Sequence, residues 1–347
     1  MKLIERRVTP ADSPLAIGTA MILAVAAAML VTSLLFMLYG ANPLRAYFAL
    51  FHEPFASLRG FGYTLVRTAP LTLIALGTIV SWRSGFGYLG FEGCFLVGAA
   101  VTTWLGLFTS VSWFLPCALL LSFIAGAAWA GAVALIRARF GGNEVLISLM
   151  TNYVAILVVQ YLVSGPMRAP GGVPETAILP RSTWLPFILP GTRAHAGILL
   201  AILATALVWV LLRKTRVGYE LIVSGLSPSA ARFGGINVGG RLVFAAFLAG
   251  GLGALAGTVE VLGEQHRLMD GVSGGVGFTG IIVALLAKLN PLAVIPAAVL
   301  YGGMTVGANA MQRRAGIPSS ITFILQSLIV LMVLASDLFR RYRVNLK

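Results

Sequence analysis

Eleven side chains in this 347-residue sequence are acidic, and the ones placed to do chemistry are those set in apolar runs. Glu92 stands in GFEGC at 90–94, between two glycines that let backbone approach closely and loosen a helix. An unpaired carboxylate in hydrocarbon is costly, so it must face protein or a water path. Three roles are open to Glu92: capping backbone amides at a broken helix, pairing with Arg83, or meeting a proton or solute in a transport pathway. The structural roles are the commoner ones. Asn143 and Glu144 open another apolar run, where a carboxylate complements a helix N-terminus. Asn152 and Tyr153, two turns further on, are candidates for a pathway wall. Tyr88 either stacks its ring on a flat solute or anchors a helix at the membrane interface. Glu260 and Glu264 flank the end of a later apolar run and are expected to be solvated.

Other chemistries find no constellation. His52, His195 and His266 are scattered singly, without HExxH spacing, and Cys94 and Cys117 form no CxxC pair, so neither a metal site nor a disulfide framework is indicated. No His/Asp/Cys cluster suggests covalent catalysis. The glycine-rich stretch 271–277 lacks the Lys-Ser/Thr of a phosphate-binding loop, so no nucleotide cofactor is expected on this chain.

Hydrophobic residues make up 58% of the sequence and charged ones 10%, against about 25% charged in soluble domains. The expected fold is all-α and polytopic in a membrane, a single domain over 1–347. Net charge is +14. In a soluble chain that would suggest nucleic acid, but here Lys and Arg sit at the ends of apolar runs, as the positive-inside rule requires. No nucleic-acid partner is expected.

After a charged amphipathic start at 1–14, the first apolar run is about 23 residues long, which is a membrane span and not a cleavable signal. Spans are expected at 17–39, 61–80, 88–108, 113–136, 144–163, 195–212, 242–262, 276–288, 292–308 and 321–338, about ten in all. Residues 42–60 read as an interfacial segment, and 164–194 as a Pro/Gly-rich outer loop. Alternating the loops puts 16 of the 25 basic residues on the side of the termini, leaving 9 opposite. Both termini and the loop 213–241 are therefore expected to be cytoplasmic. The pattern G-x-G-aromatic-x-G occurs at 85–90 and again at 275–280, opening spans from opposite sides. That is what inverted repeats over about 61–164 and 241–338 would give.

The loop 213–241 contains a short helix with punctuation at both ends. Ser227 suits the N-cap and Pro228 the first helical position, Ala230 and Ala231 propagate, Arg232 and Phe233 follow, and Gly234 or Gly235 can take a left-handed stop. About two turns are too few to stand alone, so this helix needs a surface. It is either a capped surface turn or a docking element.

Four runs carry a family resemblance: SGFGYLGFEGCFLVGAA at 84–100, GNEVLISLMTNYVA at 142–155, TRVGYELIVSGLSPSAARFGGI at 215–236, and GIIVALLAKLNPLAVIPAAVLYGG at 280–303. In order, they resemble signature stretches of permease subunits in bacterial ABC importers for nucleosides and simple sugars, within the branched-chain permease superfamily. The resemblance implies about ten spans per subunit and two permease subunits around one pathway. It also implies cytoplasmic ABC ATPase subunits that bind the ATP, an external solute-binding protein and location in the inner membrane. By the same resemblance the helix from Ser227 to Gly235 is the coupling helix that docks on the ATPase. The sequence departs from the family pattern at Tyr88, Cys94, Ile222 and Ser227, where the family usually has Asn, Gln, a basic residue and Asn. The first two departures bear on solute choice. A proton-coupled secondary transporter using Glu92 or Glu144 is the other reading that the residues alone leave open.

Overall fold

The computed structural model describes residues 4–6, 14–108 and 113–344. The amphipathic start expected at 1–14 thus falls largely outside the described residues. The fold is helical, apart from a short antiparallel pair in which β1 (Ile4–Arg6) lies against β2 (Tyr342–Val344). Among the described residues, seven helices are long and apolar enough to cross a bilayer: α3 (Leu58–Arg83), α4 (Phe91–Phe108), α5 (Phe114–Phe140), α6 (Glu144–Ser164), α7 (Gly197–Lys214), α10 (Val238–Glu260, continued by a π-helical turn, Val261–Gln265) and α12 (Pro291–Ala315). Shorter apolar stretches lie within α1 (Pro14–Leu38), α11 (Val276–Leu286) and α13 (Ser319–Arg341), where the sequence predicts spans one, eight and ten. The chain is therefore a multi-pass membrane protein.

By packing, the chain forms two units, residues 62–302 and residues 1–61 with 303–347. In the second of these, α1 packs along α13. The amphipathic α2 (Pro43–Ala56) begins on an Asn42 cap and fills the segment expected to be interfacial. The Tyr47 hydroxyl donates to Met29 O at 2.6 Å, and Glu53 pairs with Arg314 at 2.6 Å.

In the larger unit α10 is the central element, and its composition explains why. Alanines and glycines at 245–257 give it a surface with almost no side chains, so α4 and α5 approach its backbone directly. A Cβ added at Gly126 would stand 2.4 Å from Gly250 O, and one at Gly257 would stand 2.0 Å from Phe95 O. Where lipid tails are as apolar as leucine, close van der Waals contact of this kind holds helices together. A hydroxyl cluster adds polar ties, with Thr102 Oγ1 2.8 Å from Ser122 Oγ and 2.9 Å from Thr258 Oγ1. Between α7 and α10 run α8 (Arg216–Leu226) and α9 (Pro228–Phe233). Of these two, the sequence predicts only α9.

Candidate functional site

Helix α3 stops at Arg83, and the chain does not resume a helix until Phe91. Gly85, at φ +77°, turns the backbone, with Gly85 N–H donating to Trp82 O and Phe86 N–H to Ser81 O. The next few residues are irregular, and irregular backbone at membrane depth needs partners from the protein. Helix α6 supplies them from one stripe. Glu144 accepts from Gly87 N–H at 3.3 Å, and Ser148 Oγ accepts from Leu89 N–H at 3.1 Å. Asn152 donates to Leu89 O at 3.0 Å and accepts from Gly93 N–H at 2.8 Å. Positions 144, 148 and 152 are successive i, i+4 neighbours on one helix face. That spacing is present in the sequence, but sequence reasoning misses Ser148, which carries no charge to single it out. Asn143, not Glu144, caps α6, accepting from Val145 and Leu146 N–H. Glu144 instead reaches across to Gly87 and to the guanidinium of Arg137.

Glu92 is buried in the first turn of α4. Its carboxylate accepts from the Ser273 hydroxyl and from Gly277 N–H, the latter at 2.9 Å. It thus caps the N-terminus of α11, whose own N-cap, Gly275, sits at φ +81° with no side chain to offer. No side chain fits at Gly277, since a Cβ there would lie 2.4 Å from Glu92 N. Glu92, two residues beyond the first G-x-G-aromatic-x-G stretch, thus reaches Gly277 inside the second. The alternative partner, Arg83, is not used.

Tyr88 is corrected by the structure as a stacking platform. Its ring is fully buried, with Phe86 stacked at 5.5 Å and Phe91 edge-on at 5.1 Å. Its hydroxyl donates to Gly90 O at 3.1 Å and lies 3.1 Å from Cys94 Sγ. The ring folds back over Gly90 because that residue has no Cβ to prevent it. Tyr88 and Cys94, two of the four positions where the sequence departs from the family pattern, are thus in contact. Asn152 and Tyr153 part company: Asn152 is buried in the break, and Tyr153 is 62% exposed on another face of α6.

Glu260 and Glu264 are also corrected. Far from being solvated, Glu260 is 2% exposed, and both pair with Arg67 of α3, at 3.2 and 2.8 Å. Gln265 adds a bond to Glu260 at 3.1 Å. The π-turn Val261–Gln265 widens the helix where these groups converge. Sequence reasoning misses this cluster because Arg67 lies 193 residues from Glu260 along the chain.

The short helix of the loop 213–241 forms as the sequence predicts in outline. Ser227 Oγ accepts from Ala230 N–H, Pro228 is the first helical residue, and Arg232 closes the helix as its last-turn base. The left-handed stop is Gly235 at φ +77°, whereas Gly234 has φ −76° and needs no glycine. Ala231, on the helix expected to dock on a partner, is fully buried against the chain itself and so is not one of its docking residues. Phe233 is 96% exposed, with Leu226 at 81% and Tyr219 at 65%. Helix α8 touches the break above it: a Cβ at Gly225 would meet Arg83 O at 2.2 Å and Gly85 N at 2.7 Å. Glu220 and Arg241 pair at 2.5 Å, tying α8 to the start of α10.

Residues 60–334 match the family described as branched-chain amino acid transport system, permease component. A glucose ABC transporter permease protein of Haloferax volcanii is 33% identical, over 100% of this chain and 94% of the relative. A guanosine ABC transporter permease protein of Bacillus subtilis is 32% identical, over 89% and 90%. A nucleoside ABC transporter permease protein of Lactococcus lactis is 26% identical, over 90% and 89%.

Proposed function

The chain belongs to this family of transport permease components, and from that premise we propose that it is the membrane-spanning subunit of an ATP-driven importer, forming the pathway for a nucleoside or simple-sugar solute. The relatives support that solute range by their names. One structural observation carries the coupling role: a two-turn helix, capped at both ends, presents a nearly bare Phe233 beside exposed Leu226 and Tyr219. Such a patch on a polar loop calls for a partner. The partner is a cytoplasmic ABC ATPase subunit, which holds the ATP. A second permease subunit and an external solute-binding protein complete the assembly. It sits in a bacterial inner membrane, with both termini cytoplasmic.

The path of force follows from the contacts. Movement of α9 carries α8, whose Gly225 bears on Arg83 and Gly85. The broken segment they begin is held by Glu144, Ser148 and Asn152 and leads to Glu92, which grips α11. Tyr88, Glu92 and Asn152 shape the pathway from behind its wall. Tyr153 lies on the exposed face of α6, with Met150, Leu157 and Tyr161. A proton-coupled carrier would need a carboxylate free to exchange its proton, whereas Glu92 is engaged as a helix cap.

The test is reconstitution of the chain with its ATPase and binding protein in vesicles. Uptake of a labelled nucleoside or hexose should require ATP and an intact Phe233. Uptake driven by a proton gradient without ATP would overturn the reading.

A further inference from the structure

A cavity of about 350 Å³ opens between α4, α5 and α6. Val97 and Trp104 of α4, Trp129 of α5, Ala155 and Val158 of α6, and Met167 just beyond α6 contribute to its wall, which exposes only apolar atoms. All but Met167 lie inside membrane-spanning helices, and the α4 side alone runs about 10 Å along the helix axis. Trp104 and Val158, on its open side, are 51% and 44% exposed.

Three occupants can be weighed on this chemistry. Water needs two to four polar partners to stay in a cavity, and none are offered. A sugar or nucleoside would surrender its hydrogen bonds to water without replacement. The orientation of Trp129 bears on this directly. Its Nε1 is buried without a partner and lies toward the helix break, 3.0 Å from where a Gly93 Cβ would be, so only ring carbons face the cavity. A site made for a polar solute would direct that donor inward. Hydrocarbon needs no donor, surrounds these helices at this depth, and removes the void that would otherwise cost packing contacts.

We propose that this cavity is a binding groove for an acyl chain of a bilayer lipid, seated against Trp129 directly behind the Gly93–Asn152 clamp. The proposal rests on the membrane-spanning fold and not on the identity of the transported solute. Lipid in this groove buttresses the start of α4 at Gly93 through Trp129.

The test uses the full chain with its partners, reconstituted in phosphatidylcholine vesicles with and without bromine on the acyl chains. The share of Trp129 in the emission is isolated by comparison with Trp129→Phe. Brominated chains should quench that share in the native protein, and Ala100→Phe, which fills the cavity, should remove the quenching while Trp113 is still quenched. Should Ala100→Phe fail to fold, Val97→Phe serves as the second filling variant. An unquenched Trp129 in the native protein overturns the proposal. So does quenching that survives both filling variants, quenching by added nucleoside in place of brominated lipid, or disulfide formation between Val158→Cys residues of two subunits across the groove.

Discussion

At the level of single residues, the Glu92 carboxylate holds the start of α11 by accepting from the Ser273 hydroxyl and Gly277 N–H. In Glu92→Gln the remaining carbonyl can still accept from Gly277 N–H, and the Ser273 hydroxyl can rotate to accept from the new amide. The expected cost is one charge-assisted bond, about 1–2 kcal/mol, whereas Glu92→Ala strands two buried donors and should cost about 3 kcal/mol or more. Transport should fall in step with thermal stability across the two variants. Abolished transport in a Glu92→Gln protein of native stability would instead assign the carboxylate to proton or solute handling. A second residue-scale prediction concerns His195, just ahead of α7, which accepts from Gly197 N–H. Burial, and then the nearby His266, lower its pKa from 6.5 to about 4. The folded state therefore holds a neutral imidazole that the unfolded state protonates. Its contribution is complete above pH 6.5 and is lost as pH falls from 6.5 to 4, on the order of 3 kcal/mol at most. Melting curves over that range should be flatter for His195→Gln than for the native chain.

At the level of elements, α9 separates two kinds of damage that its sequence alone would merge. Phe233→Asp alters a side chain that touches almost nothing in this chain, so the protein should reach the membrane at native stability yet fail to co-purify with its ATPase. Ala231→Asp buries a charge inside the α8–α9 unit and should destabilise it by several kcal/mol. At the stop, Gly235→Val forces a β-branched residue to φ +77° and should cost about 1–3 kcal/mol, while Gly234→Val should be nearly neutral. Limited proteolysis of the loop and an ATPase pull-down distinguish these outcomes. Equal pull-down by the native and Phe233→Asp chains would remove the coupling role from α9.

At the level of the whole molecule, orientation rests on charge. With 16 of the 25 basic residues on the terminal side, a cysteine at Ser229 should react only with membrane-permeant reagents. A cysteine at Gly172, in the exposed Pro/Gly-rich loop, should react from outside with impermeant ones. The reverse pattern would invert the topology, and with it the assignment of α9 to the side where ATP is found. Glu92 would keep its hold on the start of α11, because that contact is internal to residues 62–302.

Elements that depend on local chemistry are legible in the sequence alone. Long apolar runs mark the membrane helices, Ser227 and Pro228 mark the start of α9, the glycine motif at 85–90 marks the break between α3 and α4, and the one at 275–280 marks the start of α11. Their causes are the lack of water in a bilayer, capping, and the conformational reach of glycine, all of which act over a few residues. Partner choice acts over the whole chain and is not legible there. Whether Glu92 meets Arg83, a solute or a helix end depends on where Ser273 and Gly277 come to lie, 181 and 185 residues away. Glu260 and Glu264 look solvated because nothing near them in sequence can pair with them, and tertiary packing brings Arg67 from 193 and 197 residues away. Ala231 and Phe233, two residues apart on one short helix, are equally plausible docking residues until the fold is known. Only the packing of α9 decides that the first faces inward and the second outward, because two positions on a helix differ by about 200° and one flank can be covered at a time.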